Sequence, residues 1–182
     1  FRGKDPFRDP FCGSGTIAIE AALIAKNRAP GLDRSFDAQK WAALPSRHWV
    51  DAAGEAMDRE FDGHYDIWGG DIDPKAVRIA RENAGKAGVE DLVRFDTADA
   101  CALRCEGDYG QVVTNPPYGE RLLEQEEAGA LYRRFGHAWR EFPPKWRTLG
   151  LSSHPEFERC FGRKAGKRRK LYNGMIACQL YQ

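Results

Sequence analysis

The chain has 182 residues, with 28 Lys+Arg against 27 Asp+Glu and a formal net charge of +1. That length suits a single domain burying roughly 70% of its unfolded surface, with no disulfide or metal needed to hold it together. At 42% hydrophobic and 30% charged it is neither disordered nor collagen-like, and it has no bilayer-length apolar run or basic-then-apolar leader.

Strand and helix patterns alternate along the chain. Phe7–Phe11 is a short extended segment running into a Gly-rich turn, Cys12-Gly13-Ser14-Gly15. Ile17, Ala21 and Ile24 recur at three- and four-residue spacing, which predicts a helix from Thr16 to Asn27. An irregular insertion, about residues 28–64, follows, with a helical middle near His48–Arg59. Tyr65–Gly69 is a second strand. Asp73-Pro74 then supplies an N-cap and a first-turn proline for a helix that stops at Gly88.

Leu92–Phe95 and Gln111–Thr114 are the third and fourth strands, the latter ending in Asn115-Pro116-Pro117-Tyr118. Ala128–Phe142 is helical and Arg147–Ser152 is a fifth strand. After a basic stretch, two extended runs flank Asn173-Gly174, the strongest short-range signal for a hairpin. This order predicts a mostly parallel α/β sheet with an antiparallel edge, in a single domain over residues 1–182. The first motif begins at Asp9, so near the start that a longer parent protein is expected.

The net charge conceals an asymmetry. Residues 133–182 hold 12 Lys+Arg and 3 Asp+Glu, a net of +9, against −8 for the first 132. A polyanion-facing surface on the C-terminal side is one reading, and a solvated basic face with no partner is the other. Cys12, Cys101, Cys105, Cys160 and Cys178 are odd in number and show no zinc spacing, so no metal is expected. A reduced, cytoplasmic compartment fits them. His48, His64, His137 and His154 are scattered and read as structural or surface residues.

Three motifs carry chemistry. Gly13-Ser14-Gly15-Thr16-Ile17-Ala18 fits GxGxxA between a strand and a helix, where glycines admit a ligand to the backbone and the helix start offers N–H donors. Asp71-Ile72-Asp73-Pro74 ends the second strand. Asp73 is explained as a helix cap, which leaves Asp71 to accept from ribose hydroxyls, and Asp99 follows the third strand at the next point across the sheet. Asn115-Pro116-Pro117-Tyr118 is the sharpest signal. The Asn115 side-chain oxygen and the Pro116 carbonyl can accept both protons of one exocyclic NH2, while the Tyr118 ring stacks on the base. That geometry steers the nitrogen lone pair toward an electrophile without a strong general base.

Taken together, Asp9-Pro10-Phe11-Cys12-Gly13-Ser14-Gly15-Thr16, Gly70-Asp71-Ile72-Asp73-Pro74, Asp99 and Asn115-Pro116-Pro117-Tyr118-Gly119-Glu120-Arg121 resemble the S-adenosylmethionine-dependent amino-methyltransferases. More narrowly they resemble the group labelled N6-adenine-specific DNA methylases, which includes 23S rRNA guanine-N2 methyltransferases of the RlmL and YpsC type. Ala29-Pro30-Gly31-Leu32 and Arg169-Lys170-Leu171-Tyr172-Asn173-Gly174 extend the likeness over nearly the whole chain. The resemblance implies a Rossmann-like fold with a seven-stranded sheet. It places the methionine part of S-adenosyl-L-methionine at Asp9 to Gly15, its ribose at Asp71 beside Ile72, and its adenine at Asp99 and Ala100. It places the target amine at Asn115, Pro116, Pro117 and Tyr118, with Asn115 also among the residues that bind the cofactor. It also implies an RNA-gripping THUMP domain, absent from this chain.

Arg163, Lys164, Lys167, Arg168, Arg169 and Lys170 then become candidate contacts to RNA phosphates. The expectation is methyl transfer from S-adenosyl-L-methionine to guanine N2 of 23S rRNA. Methylation of adenine N6 in DNA or RNA is the nearest rival, since the same acceptor logic serves either amine. A non-catalytic nucleic-acid-binding module would retain the fold without the chemistry. A nicotinamide oxidoreductase needs an acidic residue roughly 20 residues past the glycines. Here Asp71 stands 56 positions after Gly15, and nothing in that reading explains Asn115 to Tyr118.

Overall fold

A computed structural model describes residues 1–119 and 122–182. Glu120 and Arg121 of the acceptor motif lie outside the described residues. The seven-stranded sheet has the order β3-β2-β1-β4-β5-β7-β6. Its strands are β1 (Phe7–Asp9), β2 (Ile67–Asp71), β3 (Arg94–Thr97), β4 (Tyr109–Thr114), β5 (Lys145–Ser152), β6 (Arg168–Asn173) and β7 (Ile176–Tyr181). The first five are parallel, and β7 runs antiparallel to both β5 and β6. Strand order reverses at β1, between β2 and β4, and a crevice outside the carboxyl ends of the strands is the expected ligand position.

One face of the sheet carries α1 (Thr16–Lys26) and α3 (Pro74–Lys86). Ala18, Ala21, Ala22 and Ala25 of α1 join Phe7, Ile67, Val77, Ala80 and Phe95 in the first core cluster. The short alanine side chains let helix and strands approach closely. The other face carries α4 (Leu122–Trp139), whose Phe135 packs with Trp68, Val112 and Trp146. A third cluster joins Tyr132 of α4 to Phe157 and Cys160 of α5 (Phe157–Phe161). Among the described residues no helix is long and apolar enough to cross a membrane.

The predicted boundaries move for physical reasons. β1 ends at Asp9 rather than Phe11 because Pro10 has no N–H to offer a ladder. α1 stops at Lys26 where Asn27 turns left-handed at φ 59, and the Arg28 N–H caps the Leu23 carbonyl at 3.0 Å. β3 lies two residues later than predicted, since Leu92 is spent on a turn that bonds back to Val89. α4 begins at Leu122, not Ala128. The exposed Glu124, Glu126 and Glu127 form its first turns and supply no apolar period to read. The hairpin slips by one residue: Asn173 pairs with Ile176, so Gly174-Met175 makes the turn, with Gly174 at φ 60.

α2 (Ser46–Asp58) lies in the long segment between α1 and β2 and has no buried residue. Phe36 stacks on Trp49 at 6.0 Å. This segment closes on itself at its ends, where Phe61 N–H donates to the Lys26 carbonyl at 2.7 Å. Glu60 pairs there with both Arg28 (2.7 Å) and Lys26 (3.1 Å).

Candidate active site

The Gly-rich turn is fastened to its neighbours by backbone. Cys12 N–H donates to the Gly70 carbonyl of β2 at 2.8 Å, and Gly15 N–H closes the turn on the Cys12 carbonyl at 2.8 Å. Gly15 sits at φ 87, and a Cβ there would lie 2.9 Å from Phe95 and 3.0 Å from Ala80. Only glycine meets both the backbone angle and the close helix approach. Gly13 is the contrasting case. At φ 51, an added Cβ would meet no atom within 4 Å, so open space faces it. No side chain caps α1, which leaves its first N–H groups for a ligand. Ser14 Oγ lies 3.4 Å from Thr16 Oγ1, and Asn83 Nδ2 holds the Ser14 carbonyl at 2.9 Å.

Asp71 ends β2 directly opposite this turn. One carboxylate oxygen accepts from Gly13 N–H at 3.0 Å and the other from Asp73 N–H at 3.0 Å. Asp73 in turn caps α3 through Lys75 N–H at 2.8 Å, the helix-cap role its sequence position predicts. Ile72, between Asp71 and Asp73 in the chain, is 73% exposed. Asp99 is engaged on both oxygens: Cys101 N–H at 2.8 Å and the Arg134 guanidinium at 2.7 Å. Those contacts, led by the Cys101 N–H, hold its carboxyl below the usual range. Ala100, next to it, is buried at the start of a 3-10 turn.

β1 and β4 are cross-linked where the strand order reverses. Thr114 Oγ1 donates to Asp9 Oδ1 at 2.7 Å, and Asp9 has no exposed surface. Its second oxygen, Oδ2, has no hydrogen-bond partner among the described residues. Burial raises the Asp9 carboxyl to about 7, against the opposing pull of Thr114 and Phe11 N–H. Pro10, also buried, and Phe11, which sits edge-on to Phe135 at 5.3 Å, carry the chain from Asp9 into the turn. The Cys12 thiol is 6% exposed, and burial with Asp9 and Asp71 nearby pushes it up to about 12. It is a poor nucleophile at neutral pH.

The acceptor loop follows Thr114 immediately, so Asn115 leaves the strand beside the glycine turn's own strand. The Tyr118 hydroxyl donates to Asn115 Oδ1 and receives Asn173 Nδ2 of the hairpin at 3.4 Å. Tyr118 is only 9% exposed, with its ring packed back under the hairpin rather than standing open for a base. Asn115 and Tyr118 satisfy each other, and burial pushes the phenol up. Pro116 is buried, and the Pro117 carbonyl accepts from the Tyr132 hydroxyl at 2.6 Å. Tyr132 also lies 3.1 Å from Ser152 Oγ, which caps His154 N–H at 3.1 Å. His154 Nδ1 accepts from Glu156 N–H at 3.1 Å, which leaves Nε2 to donate to the Gln125 carbonyl at 3.0 Å. This buried prop and Arg134 escaped sequence reasoning because they come from separate helices and loops and share no spacing.

The six basic candidates divide. Arg163 lies over the Trp139 ring at 4.6 Å, which ties the segment before β6 to α4, and Arg168 grips Glu158 with two hydrogen bonds, which ties the hairpin to α5. Lys164, Lys167 and Arg169 are exposed, and Lys170 is exposed above the Tyr172 ring at 5.4 Å.

Known proteins match this arrangement. YpsC of Bacillus subtilis, whose name carries a provisional RNA methyltransferase function, is 43% identical over 97% of this chain and 46% of its own length. The ribosomal RNA large subunit methyltransferase K/L of Legionella pneumophila is 41% identical over 95% of this chain and 25% of its own. The crystal structure of SMU.472, solved with SAH, superposes with a TM-score of 0.95 at 38% identity, over all of this chain and 48% of that one. The chain therefore spans less than half the length of these relatives. A model of the RMKL-like methyltransferase domain (UPF0020) matches residues 1–182, and the chain belongs to that family.

Proposed function

We propose that this chain is the catalytic domain of an S-adenosyl-L-methionine-dependent methyltransferase that modifies an exocyclic base amine of RNA, guanine N2 of 23S rRNA. The observation that carries the reading is the Asp9–Thr114 cross-link, because it fastens the glycine turn after β1, read as the cofactor site, to the loop after β4, read as the amine acceptor. The comparisons support the reading: one relative is named for large-subunit rRNA, and one neighbour was solved with SAH.

The residues present fit the cofactor. Open space at Gly13, uncapped N–H groups at α1, the partnerless Asp9 Oδ2 and the Asp71 carboxylate suit a ligand with a hydroxylated sugar and a cationic tail. Asp9 to Gly15 would hold its methionine part, Asp71 and Ile72 its ribose side, and Asp99 with Ala100 its adenine. When bound, the cofactor supplies an electrophilic methyl group. The chain itself supplies alignment. Asn115 Oδ1 exchanges the Tyr118 hydroxyl for one proton of the target amine, and the Pro116 carbonyl takes the other. With both protons hydrogen-bonded, the lone pair leaves ring conjugation and points into the cleft, and the proton that the amine sheds as its new N–C bond forms passes to solvent. No residue acts as a covalent nucleophile.

A THUMP domain elsewhere in the full-length protein would grip the RNA, with Lys164, Lys167, Arg169 and Lys170 adding phosphate contacts. Mass spectrometry of rRNA nucleosides, with and without the gene, tests the reading. Loss of N2-methylguanosine is expected, and loss of N6-methyladenosine instead would end the guanine assignment. Calorimetry should detect S-adenosyl-L-methionine and not NAD; binding of NAD alone would overturn the methyltransferase mechanism.

A further inference from the structure

We propose that the turn of the β6–β7 hairpin is a wedge that enters the base stack beside the methylated nucleotide, with Met175 as the inserted side chain. The inference deepens the RNA reading above and rests on it. β6 is the edge strand and each of its residues is exposed, so the hairpin carries its turn clear of the sheet. Met175 stands at that turn with 98% of its surface exposed. A lone exposed apolar residue needs no explanation in itself. Its position gives it one. Asn173, the last residue of β6, reaches the Tyr118 hydroxyl at 3.4 Å, so the turn lies beside the loop assigned to the target amine.

A base must leave its stack to reach Asn115, and the gap it leaves favours an apolar filler. Methionine is unbranched and polarisable, which suits a gap of irregular shape. Arg169 and Lys170 project to opposite sides of the strand leading to the turn, where they can hold phosphates on either side of the inserted residue. Asn173 joins the two events. RNA at the turn and a base at Asn115 both act on the chain of hydrogen bonds from Asn173 through Tyr118 to Asn115.

The test uses the full-length protein and large-subunit rRNA from a strain lacking the gene, supplied either folded or as heat-denatured fragments. Met175→Ala should lower kcat/KM on folded rRNA by about tenfold or more, and by no more than about twofold on the fragments. Met175→Leu should restore most of the folded-RNA rate, and S-adenosyl-L-methionine affinity should not change. Equal rates for wild type and Met175→Ala on folded rRNA, or equal losses on both substrates, would sink the wedge while leaving the methyltransferase reading intact. If the wild-type protein methylates neither substrate, the RNA reading fails and takes the wedge with it.

Discussion

The two flanks of the cleft follow opposite rules. Behind the glycine turn the chain excludes even a methyl group, since a Cβ at Gly15 or at Gly69 of β2 would fall 2.9 or 2.5 Å from Phe95, and α1 meets the sheet through alanines. On the far flank each residue of β6 is exposed, and its cations stand on the same hairpin as the exposed Tyr172 and Met175. The first flank suits a small ligand of fixed shape, for which preorganised backbone is worth its rigidity. The second suits a polymer whose backbone is charged and whose conformation varies, which calls for reach rather than fit.

Asn115→Ala cuts the link between the flanks, and the largest effect is expected there. Methyl transfer should fall by about 10²–10³-fold, as when one preorganised polar contact is removed from a reacting centre. Affinity for S-adenosyl-L-methionine should fall by far less, as calorimetry would reveal; a matching loss of affinity would assign Asn115 chiefly to the cofactor. Gly15→Ala attacks the packed flank alone. Its positive φ and the 2.9 Å approach to Phe95 together should destabilise the fold by about 2–4 kcal/mol in urea unfolding.

The buried Asp9 gives the packed flank a pH signature. Its carboxyl is raised to about 7 from the usual 3.8, so the folded state retains a proton that the unfolded chain releases. Stability should therefore be greatest below about pH 4 as far as this group is concerned, and should decline by a few kcal/mol as pH climbs toward 7. Asp9→Asn should flatten that decline in denaturation measured across the window; an unaltered slope would place the titration elsewhere. The smallest effect on stability belongs to the open flank. Neutralising Lys167, Arg169 and Lys170 to Gln should leave unfolding within about 0.5 kcal/mol of wild type. The same variant should reduce the slope of log affinity against log salt for single-stranded RNA by about 2.

The two flanks were also unequally legible. Glycines, Asp73-Pro74 and Asn-Pro-Pro-Tyr are local signals, because each records what one turn or one helix start demands of its own backbone. The open flank resisted. α5 is too short for any hydrophobic period to declare it, and the expected Asn-Gly turn moved one residue because the pairing of Asn173 with Ile176 sets the register. The sequence gives no means of separating Arg163 and Arg168 from their basic neighbours. Only the fold brings Trp139 and Glu158 against them, turning two of six candidate RNA contacts into struts. Tyr118 differed in the same way, since its covering by the hairpin is a contact across 55 residues.

The segment between α1 and β2 leaves the sheet and returns with its two ends joined. Where Phe61 meets Lys26, and Glu60 meets Arg28, the ends are already joined, so the chain between them closes a loop anchored independently of its contents. The entropy of such a loop rises only with the logarithm of its length, about 0.6 kcal/mol for each doubling. α2 and its neighbours can thus be lengthened, trimmed or exchanged with little effect on the sheet. That closure makes this segment the place where the domain can acquire a new surface while its chemistry stays fixed.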